Sequence, residues 1–203
     1  GFKIFNGDGY KLPDQVEDEI ERLVRDKSQV KLATGDAVGR VTRRENAVED
    51  YVDYLAGCLE ANLAGLHVAI DCANGAAAAT ARLLFPRLGA DCHFIGVEPD
   101  GTNINRECGS THLDRLKAMV KAGDYDLGIA FDGDADRCLM VDENGEEIDG
   151  DQVIAACGLA LKQAGELDGN AIVATVMSNL GMINTLKSEG IHVDVTDVGD
   201  RYV

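Results

Sequence analysis

The chain has 203 residues, 45% of them hydrophobic, with 19 basic against 36 acidic side chains and a formal charge of −17. That length suits one large domain, or one whole domain with parts of others. So acidic a surface repels polyanions, which excludes nucleic acid and anionic membrane as partners. Tryptophan is absent, aromatic residues are 5%, and Ala and Gly are plentiful, a balance that favours close helix–sheet packing over an all-β sandwich. The six cysteines, at 58, 72, 92, 108, 138 and 157, form no CxxC pair and show no metal-ligand spacing. Several lie inside apolar runs, where a thiol behaves as a small core residue, so reduced cysteines and a cytoplasmic location are expected. No apolar run reaches the length of a membrane span and no signal peptide is visible.

In chain order, residues 2–5 read as a short strand, and an NGDG turn follows. Pro13 opens a helix whose first turn is crowded with Asp14, Glu17, Asp18 and Glu19, where negative charge suits the dipole. Ile20, Leu23 and Val24 are its expected buried stripe. Residues 29–46 are polar and read as a linker with little core. A second helix is expected from about Asn46 to Leu63, with Val48, Tyr51, Val52, Leu55, Cys58 and Leu59 on its apolar face. "LHVAIDCANGAAAATARLLFPRLGADCHFIG" predicts strand, Asn-Gly turn, Ala-rich helix and second strand. "HLDRLKAMVKAG" predicts a helix, "YDLGIAF" a strand, and "CLMVDENGEEI" a hairpin about an Asn-Gly turn. Residues from about 46 to 148 thus make an α/β unit with parallel strands. After Gly150 the pattern restarts: helix 151–164, strand, helix 180–188, strand. Because the chain opens without methionine and stops after a strand-like run, it is expected to be an excerpt of something longer.

The densest chemistry lies in "GIAFDGDADRCLMVDENG", residues 128–145. Asp132, Asp134 and Asp136 fall within five residues and repel one another unless a cation sits among them. A hard divalent ion with oxygen ligands, Mg²⁺ first, is the economical occupant. The loop follows an apolar strand, and ligands in open α/β sheets gather outside the carboxyl ends of strands. Arg137 cannot ligate a cation, and its forked donors suit a phosphate beside it. Three other readings stay open on these residues alone. The D-x-D-x-D spacing with Glu143 at the twelfth position imitates a Ca²⁺-binding EF-hand, although that loop needs Gly where Arg137 stands. An aspartate-nucleophile phosphatase also places Asp-x-Asp after a strand. A solvated acidic turn is the plainest alternative.

"FDGDADR" followed by a hydrophobic hairpin and "DG" resembles the metal loop of the α-D-phosphohexomutases. "GFKIFNGDGYKLPDQVEDEIE" resembles the segment after that family's phosphoserine loop, and "VAIDCANGA" its second-domain opening. "PDGTNINRECGSTH", "VATVMSNLG" and "VGDRYV" resemble the phosphoglucosamine mutase branch. The resemblance runs in order along essentially the whole chain. It implies repeated α/β domains, each a mixed or parallel sheet flanked by helices, truncated at both ends. Residues 1–40 would be the end of the first domain plus linker, 41–149 the second domain, and 150–203 the start of the third.

The implied reaction interconverts glucosamine 6-phosphate and glucosamine 1-phosphate through a phosphoserine and a bisphosphorylated sugar, toward UDP-N-acetylglucosamine and peptidoglycan. Asp132, Asp134 and Asp136 would hold Mg²⁺, and Arg137 would contact the transferring phosphate. Lys3 matches a lysine near the transferring group, a candidate proton shuttle; from the residues alone it is an edge-strand lysine. Asp200 and Arg201 match a third-domain loop facing the sugar; from the residues alone they form a charged turn. His112 is a branch marker, read as structural, an N-terminal helix feature beside Ser110 and Thr111, and Ser178 and Asn179 suit a helix cap. No residue matches the family's catalytic serine, so the chain alone is expected to be inactive. Monomer and homodimer both stay open. A phosphomannomutase/phosphoglucomutase relative, or a non-catalytic divalent-metal-binding module, is the alternative.

Overall fold

The computed structural model describes residues 4–59, 62–199 and 202–203. They divide into two compact units, residues 1–43 with 198–203, and residues 44–197.

In the first unit the NGDG turn forms as expected. The Asn6 side chain accepts from the backbone N–H of Asp8 and Tyr10 at 3.0 and 2.9 Å, and Phe5 pairs with Lys11 in one isolated antiparallel bridge. Of the expected strand over 2–5, residues 2 and 3 lie outside the described residues and the rest supplies only that bridge. Pro13 occupies the N-cap position of α1 (Asp14–Arg25). The expected buried stripe is not buried: Ile20 and Leu23 are half-exposed and Val24 is exposed. Amphipathic spacing creates an apolar face, but burial needs a second surface, and no described residue of α1 is buried. Residues 30–46 are exposed throughout, with a single-turn 3₁₀ helix at Gly35–Ala37.

The second unit begins with α2 (Ala47–Gly57), shorter than the expected run to Leu63. Val52 alone is buried; Tyr51, Cys58 and Leu59 are exposed, because only one narrow side of α2 meets the next helix, Ala77–Arg87. Then come β1 (His67–Asp71), α3 (Ala77–Arg87), β2 (Asp91–Ile95), α4 (Asp114–Ala122), β3 (Leu127–Phe131), β4 (Cys138–Asp142) and β5 (Glu147–Ile148). The sheet order is β2-β1-β3-β4-β5. β1 is parallel to β2 and β3, with Ile70 opposite Phe94 on one side and Ile129 on the other. β4 returns antiparallel to β3, and the Asn144-Gly145 turn joins it to β5.

β1 reads as a continuous apolar run because both of its faces are covered. Val68, Ile70 and Cys72 point into a cluster with Ala77, Ala78 and Ala81 of α3. Ala69 points the other way, toward Leu116 and Val120 of α4 and Val141 of β4. Full burial of a side chain such as Leu116 contributes roughly 1.5–3 kcal/mol. Small Ala side chains let α3 approach the sheet closely, as the composition suggested. This is an α/β/α layering with a mainly parallel sheet, as the fold expectation required.

The restart is α5 (Gly150–Ala164), β6 (Ala171–Thr175), α6 (Leu180–Ser188) and β7 (His192–Thr196), with β6 and β7 paired in parallel. Asp149 makes a reciprocal capping box with Gln152, both bonds 2.8 Å, and Gly165 ends α5 in the left-handed region. Ala174, Met182, Leu186, Ile191 and Val193 form its core. All six cysteines are free. Burial pushes the Cys72 thiol up to about 12, with the Asp71 charge adding to it, so it is an inert core thiol. Among the described residues no helix is long and apolar enough to cross a membrane.

Candidate metal centre

β3 carries Leu127–Phe131 through the middle of the core and ends where the aspartates begin. Asp132 is the inner one, 8% exposed, whereas Asp134 and Asp136 lie on the surface. The turn is closed by the Asp132 N–H donating to the Arg137 carbonyl at 3.3 Å and by the Ala135 N–H donating to the Asp132 carbonyl at 3.2 Å. The Arg137 N–H donates to Asp132 Oδ1 at 3.2 Å. Ala135 adopts a φ of 60°, folding the loop back so that Asp134 and Asp136 return toward Asp132. One oxygen from each of the three carboxylates lies within 4.8 Å of the others.

Three hard anionic oxygens on one rigid strand end are a donor set for Mg²⁺ or another hard cation, so the residues fit the expected metal. The Arg137 Nε sits 4.0 Å from Asp132 Oδ2 and 3.9 Å from Asp136 Oδ1, and its side chain is 77% exposed. A guanidinium so placed is tethered beside the carboxylates yet open to an incoming anion. The flanks are the antiparallel strands β3 and β4, not helices, so the EF-hand reading is withdrawn.

The strand ends around this loop are tied together by further groups, Asp71 first among them. Asp71, fully buried at the end of β1, accepts from the Ala73 N–H at 2.9 Å and from the Gly109 N–H at 2.8 Å. The Asn74 side chain accepts from the Glu98 N–H at 3.0 Å and donates to the Asn103 carbonyl at 3.4 Å. The Ala76 N–H donates to the Gly133 carbonyl at 2.9 Å, and the Ser110 N–H to the Phe131 carbonyl at 2.9 Å. Close approach calls for glycine here, at Gly75 and Gly109 among others. A Cβ on Gly75 would lie 2.3 Å from the Gly133 carbonyl oxygen, and one on Gly109 would lie 2.7 Å from the Phe131 carbonyl oxygen, at a φ of +77°.

Backbone strain collects here too. Ala73, Asn74, Asn105, Glu107 and Ala135 all have positive φ, and among the described non-glycine residues Asn170 alone does so elsewhere. Each such residue costs about 1 kcal/mol or more, and persists only when its surroundings hold it. An aspartate closing the apolar run "HVAID" was the available signal for Asp71, since an acid there must find donors.

The structure therefore brings Asp132, Asp134, Asp136 and Arg137 together. Lys3, Asp200 and Arg201 lie outside the described residues. Neither Ser110 nor Thr111 caps α4; Thr111 Oγ1 instead meets His112 Nδ1 at 3.1 Å, and the N-cap position of α4 is Leu113 with no side-chain bond. Asn179 does cap α6, accepting from the Gly181 N–H at 2.6 Å.

Residues 49–145 match the family described as phosphoglucomutase/phosphomannomutase, alpha/beta/alpha domain II, and residues 149–203 match alpha/beta/alpha domain III. Proteins named phosphoglucosamine mutase from Acetivibrio thermocellus and Ruminiclostridium cellulolyticum are 52% and 50% identical, over 100% of this chain and 45% of each relative. A solved phosphoglucomutase/phosphomannomutase family protein from Burkholderia thailandensis has the same fold, with a TM-score of 0.72 at 24% identity, over 92% of this chain and 39% of that one. The chain spans a little under half the length of the curated relatives it matches. It belongs to the phosphoglucomutase/phosphomannomutase family and carries sequence of that family's domains II and III.

Proposed function

We propose that this chain is the metal-bearing part of a phosphoglucosamine mutase, which interconverts glucosamine 6-phosphate and glucosamine 1-phosphate through a phosphoserine and a bisphosphorylated intermediate. The observation that carries the reading is the convergence of three carboxylates within 4.8 Å at the carboxyl end of β3, in a chain 52% identical to a protein of that name. The division into residues 1–40, 41–149 and 150–203 belongs to the same proposal.

Asp132, Asp134 and Asp136 would hold Mg²⁺, which when bound neutralises charge on a transferring phosphoryl group. Asp132 supplies the fixed ligand, since its backbone is pinned to Arg137 and its side chain is shielded from water. Asp134 and Asp136 complete the set from the surface side. Arg137 turns its forked donors to the phosphate oxygens, and its exposure leaves it free to do so. Lys3 would move a proton near the transferring group, and Asp200 with Arg201 would meet the sugar. The location would be the cytoplasm, where nucleotide-sugar precursors are made.

The whole protein is expected to turn over glucosamine 6-phosphate faster than glucose or mannose phosphates. A preference for either other sugar would replace this reading with the phosphoglucomutase/phosphomannomutase one. The 203-residue chain, in which no residue matches the catalytic serine, should show no mutase turnover; measurable conversion would overturn that part.

A further inference from the structure

We infer that Asp71 is the positioning residue of the metal loop, holding by backbone hydrogen bonds the two neighbouring loops on which the aspartate loop rests. The inference rests on the metal reading of Asp132, Asp134 and Asp136. Asp71 is fully buried, and each of its two oxygens accepts from one backbone donor, Ala73 N–H and Gly109 N–H.

Each donor leads to the metal loop in a few bonds. Ala73 and Asn74 are two consecutive non-glycine residues at φ of 57° and 50°, a pair that local sterics disfavour and that Asp71 holds in place. That turn delivers Gly75 and Ala76 against Gly133, where the Ala76 N–H grips the carbonyl directly after Asp132. On the other side, Gly109 delivers the Ser110 N–H to the Phe131 carbonyl, directly before Asp132. The Asn105 N–H donates to the Ala73 carbonyl at 2.9 Å and links the two branches. Asp132 is thus flanked by a clamp on each neighbouring residue, Phe131 and Gly133, and both clamps trace back to one buried carboxylate. Groups that orient metal ligands from outside commonly set affinity as strongly as some ligands do.

The test is calorimetric titration of Mg²⁺ into the 203-residue chain, with backbone amide exchange on the metal-free protein. Asp71→Asn turns an acceptor into an amide facing N–H donors at nearly constant volume. Ala76→Pro deletes one N–H at a φ of −62° that proline adopts, and reports on the same clamp if Asp71→Asn does not fold. Val120→Ala weakens the same sheet through α4 without touching either clamp. Asp71→Asn and Ala76→Pro should each weaken Mg²⁺ binding about 10- to 100-fold, while Val120→Ala lowers Tm and leaves affinity unchanged. Without metal, Asp71→Asn should speed exchange at Gly109, Ser110 and Ala76. Unchanged affinity in both variants, or a loss shared equally by Val120→Ala, overturns the inference. If the unaltered chain takes up no Mg²⁺, the metal reading fails; unaltered protection at those three amides then overturns the positioning role as well.

Discussion

Two helices of this chain, α1 and α4, are both amphipathic, α1 the more strongly, and have opposite fates. α4 has nine residues, and its Leu116 and Val120 are 0% and 1% exposed against β1, β3 and β4. α1 has twelve and buries none; it is held by its turn chemistry and by exposed pairs such as Glu19–Arg22 at 2.6 Å and Glu21–Arg25 at 2.8 Å. Exposed ion pairs of this kind contribute about 0–1 kcal/mol each, far less than a buried leucine. Periodicity marks which side of a helix could be buried, and only a second surface decides whether it is. The same contrast separates the second unit, with its hydrogen-bonded strand ends, from residues 4–43.

The sharpest break of the comparison is at the loop itself. Asp134→Ala should abolish or strongly weaken Mg²⁺ uptake, by at least about 10-fold, with little change in Tm, because Asp134 is exposed and supports no core. Calorimetry beside a thermal melt checks both halves. Next in size, Leu116→Ala should cost about 2–5 kcal/mol of unfolding free energy, whereas Leu23→Ala in α1 should stay within about 0.5 kcal/mol. Urea titration of the two variants would measure the difference, and equal losses would show that α1 has a covering surface. A smaller change, about 1 kcal/mol, is expected for Asp149→Ala, which removes the capping box of α5.

The smallest effect is on acidification. Asp142 is held below its ordinary value of 3.8 first by the Glu146 N–H, and Asp26 by the Ser28 hydroxyl and N–H. A depressed folded-state value means the contribution is present above the ordinary carboxylate range and is lost as pH falls through the folded value. Local loosening of the 142–146 and 26–28 turns, read from the amide shifts of Glu146 and Ser28, should therefore come only below about pH 4.

Much of the second unit was legible because its determinants are local. Apolar runs bounded by Asn-Gly, Asp or Gly predicted β1, α3, β2, α4, β3 and the β4–β5 hairpin, and all of them form. The three aspartates were legible for the same reason: like charges at alternate positions are a local anomaly. Asp71 was harder to read, since one acid in an apolar run does not say which donors meet it. Its Gly109 partner lies thirty-eight residues away. α2 ended six residues before its expected limit, because exposed Tyr51 and Leu59 counted as stripe positions by spacing alone.

By itself the sequence determined the order of strands and helices, the α/β class with its mainly parallel sheet, and the crowding of charge in the Asp132–Arg137 loop. These follow from hydrophobic period, turn residues and charge crowding, each acting over a few positions. Tertiary structure alone decided which apolar faces are covered, that Asp132 is buried while Asp134 and Asp136 are not, and that Asp71 meets backbone donors from two separate loops. The physical reason is that burial and long-range hydrogen bonding depend on which surfaces meet, and no window of neighbouring residues contains that information.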